Sequence, residues 1–101
     1  MTATGGTQRQ VVLTLSGDID AMTQAGYRHR AEQMLAEGAV ERFVVDMTDV
    51  ATIDSSGLGL LVHLQSLTRD KRIEMVLANV PPRAGALLKR TGLDRVFEIA
   101  G

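Results

Sequence analysis

From Gln10 the chain alternates, with Val11, Leu13 and Leu15 on one side and Val12, Thr14 and Ser16 on the other. That period of two predicts a strand with one buried face, ended by Gly17-Asp18. Between Asp20 and Gly38 the period changes. Met22, Ala25, Tyr27, Ala31, Met34 and Leu35 recur at spacings near three and four, opposite Arg28, Glu32, Gln33 and Glu37. An amphipathic helix is expected there, with Asp20 or Thr23 as N-cap and Gly38 as its stop. Phe43-Val44-Val45 is an apolar run without alternation, the pattern of a strand covered on both faces. Asp46 to Asp54 then leave the C-terminal end of that strand. A second helix is expected from about Ser56 to Thr68, followed by a strand from Ile73 to Ala78. Pro81-Pro82 opens a third helix that Gly92 closes, and a short strand from Val96 to Ile99 comes last.

Strands alternating with helices imply an α/β domain with a largely parallel or mixed sheet. At 101 residues the chain is read as one small domain over 1–101, in which Met1 to Arg9, without periodicity, form a frayed start or a weak edge strand. Hydrophobic residues make up 45% of the chain, yet aromatics are limited to one Tyr and two Phe, so the core has to be aliphatic. Met22, Met34, Met47 and Met75 are read as filler for it. Eleven Lys and Arg against twelve Asp and Glu leave a formal charge of −1, which gives no basic field for nucleic-acid binding. The absence of cysteine excludes disulfides, thiolate zinc sites and thiol nucleophiles, and fits a reducing compartment. The polar start lacks the apolar core of a signal peptide, and no apolar stretch is long enough to span a bilayer. These features point to a cytoplasmic protein without direct membrane insertion.

The chemistry concentrates between Asp46 and Leu64. Asp54, Ser55 and Ser56 are all good N-caps at the start of the second helix, where backbone N–H groups are free. Ser55 and Ser56 are thus either caps or functional hydroxyls. Gly57 and Gly59 each cost about 1 kcal/mol relative to Ala inside a helix, which suggests that something approaches this backbone closely. At about 100° per residue, Leu60, Leu61, Leu64 and Leu67 form the core stripe. Leu58 and Val62 fall away from it, on the side of Ser55, Gly59, Ser66 and Arg69. They either pack against the third helix or form an apolar docking patch beside a hydroxyl.

An enzyme finds little support. Asp46, Asp49 and Asp54 could imitate a metal or phosphoacceptor cluster, but acidic residues are common near strand ends, and no phosphate-binding loop or nucleophile elbow is present. His63 lies eight residues beyond Ser55, roughly 12 Å along a helix, too far for a Ser-His pair. Catalytic residues, metals and cofactors are therefore not expected. Arg69, Lys71 and Arg72 at the end of the second helix, and Arg83, Lys89 and Arg90 on the third, are read as dipole complements and solubilising charges.

Asp54-Ser55-Ser56-Gly57-Leu58-Gly59, preceded by Val44-Val45-Asp46-Met47-Thr48-Asp49-Val50, resembles the signature of the STAS domain family, specifically the bacterial anti-sigma factor antagonists. Gly17-Asp18-Ile19-Asp20 is similar to the family's Gly-Glu-Leu-Asp element, and Thr91-Gly92-Leu93 with Val96-Phe97 to its late Ser-Gly-Leu segment. The resemblance covers roughly residues 10 to 99. It implies a small STAS-like fold, a sheet of four or five strands backed by about three helices. It also implies that Ser55 is phosphorylated by a serine kinase that doubles as an anti-sigma factor. The unphosphorylated form would bind that kinase and release a sigma factor, and a metal-dependent phosphatase would restore the serine. Partner contacts are implied at Asp20, Asp54, Ser55, Ser56, Gly57, Leu58, Gly59 and Val62. The terminal helix and well-defined first strand of many relatives are missing, so a monomer is expected. Some STAS domains instead serve as accessory subunits of membrane transporters, including lipid ABC complexes. The intact Asp54-Ser55-Ser56 run favours the phosphoswitch.

Overall fold

The computed structural model describes residues 9–100. The expectation for the start of the chain falls outside them except at Arg9, whose carbonyl accepts the Glu41 N–H at 2.9 Å beside the entry to the second strand. Four strands, β1 (Gln10–Ile19), β2 (Arg42–Ile53), β3 (Glu74–Ala78) and β4 (Glu98–Ala100), alternate with three helices, α1 (Gln24–Ala36), α2 (Ser55–Asp70) and α3 (Pro82–Arg90). A 3₁₀ turn at Leu93–Arg95 precedes β4. Every pairing is parallel and the sheet order is β1-β2-β3-β4. Among the described residues, the expected α/β class is thus realised with a parallel sheet.

Alternation in β1 buries Leu13 and Leu15 and leaves Val12 48% exposed. Phe43, Val45 and Met47 of β2 and Met75 and Leu77 of β3 share the buried face. All three helices contribute to the same core, through Ala31 and Leu35, through Leu60, Leu61 and Leu64, and through Ala84 and Leu88. On the opposite face Val44 is half-buried, although its register partner Val76 in β3 is only 1% exposed. The expectation that Phe43-Val44-Val45 is covered on both faces is therefore corrected: an apolar run without alternation does not by itself distinguish the two cases.

Two further boundaries move. Gly17-Asp18 does not end β1, which continues through Gly17 at φ +70° to the buried Ile19. Asp46 to Ile53 are not a loop but the second half of β2. The ladder absorbs them through two register shifts, between Thr14 and Ser16 and between Gly17 and Asp18, where β2 carries an extra residue each time. At the first of these, the Asp46 carboxylate accepts hydrogen bonds from the Thr48 N–H (3.0 Å), the Thr48 hydroxyl (2.6 Å) and Asn79 Nδ2 (3.1 Å). The side chain so replaces a ladder partner that the bulge removes.

Met22 is 90% exposed and is no core filler. It precedes α1, which begins only at Gln24, and it stands in a turn closed by Asp20, whose carboxylate accepts the N–H groups of Met22 (2.9 Å) and Thr23 (3.2 Å). Pro81 caps α3 and Pro82 occupies its first position, while Gly92 follows the helix at φ +77°. The last strand begins two residues later than the expected Val96, which instead ends the 3₁₀ turn.

Candidate functional site

The carboxyl ends of β1 and β2 run side by side into two helices, and each junction is closed by an aspartate. Asp20 caps the turn before α1. Asp54 is the N-cap of α2, its Oδ1 accepting the N–H groups of Ser56 (2.9 Å) and Gly57 (3.1 Å), while its carbonyl accepts the Leu58 N–H at 2.9 Å. Of the three candidate caps, Asp54 is the one used.

The two junctions are fastened to each other. The Asp54 N–H donates to the Ile19 carbonyl at 3.3 Å, and the Thr52 hydroxyl donates to Asp18 Oδ1 at 2.6 Å. Thr23 ties in the α1 side, accepting the Asp20 N–H at 3.0 Å and donating to the Asp18 carbonyl at 2.8 Å. Gly57 is buried between them. A Cβ there would stand 2.5 Å from the Ile19 carbonyl oxygen and 2.5 Å from Ile53 Cγ1. The close approach expected at this glycine is real, and what approaches is the chain's own β1 and β2. Thr23, one of the two caps expected for the first helix, thus also braces β1, whereas the Asp18–Thr52 link has no counterpart in the sequence-based expectation, which ends the strand at Gly17-Asp18. The signal available was a pair of Asp residues, Asp18 and Asp20, flanking a buried Ile.

On this frame Ser55 is exposed and Ser56 half-buried. Gly59 has open space at its missing Cβ, so the expectation of a close approach fails there. Val62 is 40% exposed, and Ser55, Gly59, Val62, Ser66 and Arg69 form a continuous exposed strip along α2. Leu58 does not belong to it. At 8% exposure it joins the core, because the Gly57 contact seats the first turn of α2 so low that a flanking position is covered as well.

Asp46, Asp49 and Asp54 do not form a ligand cluster. Asp54 is engaged as a cap, and hydrogen bonds from Thr48 and Asn79 hold the Asp46 carboxyl below its ordinary value. Among the described residues no three His, Asp or Glu side chains converge in a manner suited to a metal. His63 faces α1 instead of the serines, its Nε2 3.5 Å from Glu32 Oε2. No helix among the described residues is long and apolar enough to cross a membrane.

A parallel sheet backed by helices, with a hydrogen-bonded strand-to-helix junction that presents the exposed Ser55, agrees with the STAS fold that the sequence resemblance implies. The STAS domain profile matches residues 2–101, and the chain belongs to this family. The chain is 35% identical over 86 residues to the anti-sigma-B factor antagonist of Listeria monocytogenes, covering 84% of this chain and 74% of the relative. Its fold is similar to that of the anti-sigma factor antagonist SpoIIAA in the unphosphorylated form (TM-score 0.77, 23% identity, 96% of this chain and 84% of the other). The likeness extends to phosphorylated SpoIIAA, described as a Bacillus cell fate determinant (TM-score 0.70, 23% identity, 96% and 87%).

Proposed function

We propose that this protein is an anti-sigma factor antagonist of a partner-switching pathway. Unphosphorylated, it binds an anti-sigma factor that is also a serine kinase and thereby frees a sigma factor. Phosphorylation of Ser55 blocks the contact, and a metal-dependent serine phosphatase reverses it. The protein itself turns nothing over, needs no metal or nucleotide, and works in the cytoplasm. The antagonist relative and the Asp54-Ser55-Ser56 run favour this reading over a transporter accessory role.

The observation that carries the proposal is the contrast at one helix start. Ser55 is exposed beside Gly59 and Val62, whereas its neighbours are fixed by Asp54 and Gly57. The Asp54 carboxylate already takes the N–H groups of Ser56 and Gly57, so a phosphate on Ser55 meets a like charge where a free amide pair would otherwise receive it. It adds about −1.5 to −2 charges beside the exposed Val62 side chain and the Gly59 backbone, which docking has to desolvate. Blocking the partner then requires no refolding. Asp20, Asp54, Ser55, Ser56, Gly59 and Val62 make the contact surface, while the buried Gly57 and Leu58 act by seating the helix.

The test is incubation with an anti-sigma kinase and ATP followed by phosphosite mapping. Phosphate is expected on Ser55, and Ser55→Ala should lose incorporation. Ser55→Asp should lose kinase affinity with its melting temperature unchanged. Phosphate on Ser56 alone, or undiminished incorporation in Ser55→Ala, refutes the assignment.

A further inference from the structure

Strand β2 outruns its neighbour. The last register pair between β2 and β3 is Asp46 with Ala78, yet β2 continues to Ile53. Past Asp46 it is paired, among the described residues, to β1 alone. Among the described residues, no backbone hydrogen bond joins Val50, Ala51, Thr52 or Ile53 to anything on the β3 side. Helix α3 lies across that gap without filling it. Between the strand and the helix runs an open groove of about 360 Å³, floored by Val50–Ile53, Ala84 and Leu87 and flanked by Arg83 and Arg90.

One of the two charges in this groove is not explained by the helix that carries it. Arg90 in the last turn complements the α3 dipole, but Arg83 stands in the first turn, where a cation is unfavourable and where no acidic residue offsets it. Neither arginine belongs to an ion pair among the described residues. They are seven residues apart on one helix face, about 10 Å along the axis, and the unpaired strand edge from Val50 to Ile53 spans about the same distance. An unpaired strand edge, an apolar floor and a cation towards each end match one kind of occupant.

We propose that this groove binds an extended, acidic segment of a partner protein, which adds to β2 as a strand. Main-chain hydrogen bonds to the free edge hold it, small apolar side chains enter the groove, and carboxylates near its ends meet Arg83 and Arg90. The groove adjoins the serine junction, sharing Thr52 and Ile53 with its framework, but contains none of the exposed strip of α2 and does not depend on the role assigned to Ser55.

The test titrates two peptide mixtures into the full, ¹⁵N-labelled chain. Both are acetylated, amidated pentapeptides with three central positions randomised over Val, Thr and Ile, one mixture ended by Glu and the other by Lys. The Glu-ended mixture should shift the amides of Val50–Ile53 and bind about fivefold more tightly than the Lys-ended one, as expected for two exposed ion pairs. Arg83→Gln with Arg90→Gln should erase the difference, and Arg83→Glu with Arg90→Glu should invert it. Methylating alternate peptide nitrogens should abolish binding. The proposal is overturned if both mixtures bind equally, if methylation has no effect, or if millimolar peptide leaves the Val50–Ile53 amides unmoved. It also fails if the chain self-associates through this edge without peptide, which would make a second copy the occupant.

Discussion

Gly57 and Gly59 stand two residues apart in the first turns of α2 and meet opposite environments. Gly57 is pressed against the Ile19 carbonyl and the Ile53 side chain, whereas nothing lies within 4 Å of the position a Cβ would take at Gly59. The same division continues along the helix: Leu58 is buried and Val62 exposed. One side of this helix start is a foundation and the other a surface, and the difference separates residues that hold Ser55 in place from residues that meet a partner beside it.

Substitutions can break that contrast, beginning on the foundation. Gly57→Ala forces a Cβ onto backbone that cannot yield cheaply, and should cost about 3 kcal/mol, or a fall in melting temperature of roughly 15 °C in a thermal scan. Leu58→Ala removes a core side chain and should cost about 2 to 3 kcal/mol in denaturant unfolding, with little loss of partner affinity in the molecules that remain folded. Gly59→Ala should move the other way, stabilising the fold by about 0.5 to 1 kcal/mol through helix propensity. Val62→Ala should change stability by less than about 0.5 kcal/mol while weakening kinase binding by about 1 to 2 kcal/mol in a titration. If Val62→Ala melts as early as Leu58→Ala and binds normally once folded, the division along α2 is wrong.

Periodicity made the elements legible where one face alone decides burial. The Val11, Leu13, Leu15 alternation and the Leu60, Leu61, Leu64 stripe end up buried or partly buried as their spacing implies. It failed where the backbone leaves its period. Two bulges carry β2 through Asp46 to Ile53, a stretch whose polar residues read as a loop, and the compensation at the first lies in one side chain, Asp46, bonding two residues on and across to Asn79. A helical wheel likewise treats α2 as a free cylinder. It cannot register that the first turn is drawn down by a glycine contact, which is why Leu58 was grouped with Val62. Ser55 and Asp54 were legible through their local motif, but the links from Asp18 to Thr52 and from Asp54 to Ile19 join segments more than thirty residues apart, and local spacing does not contain them.

The strands lie in the sheet in the order in which they occur in the chain. During synthesis from the N-terminus, each strand therefore emerges next to a neighbour that is already outside the ribosome. The hydrogen bonds and the glycine contact described at the Ser55 junction come from β1, the Asp20–Thr23 turn, β2 and the start of α2, so these links can form while β3, α3 and β4 are still being made. The groove beside β2 has to wait for α3. A nascent chain would hence acquire its serine junction first and its second, arginine-flanked edge last, and arrest at successive lengths would separate the two in time.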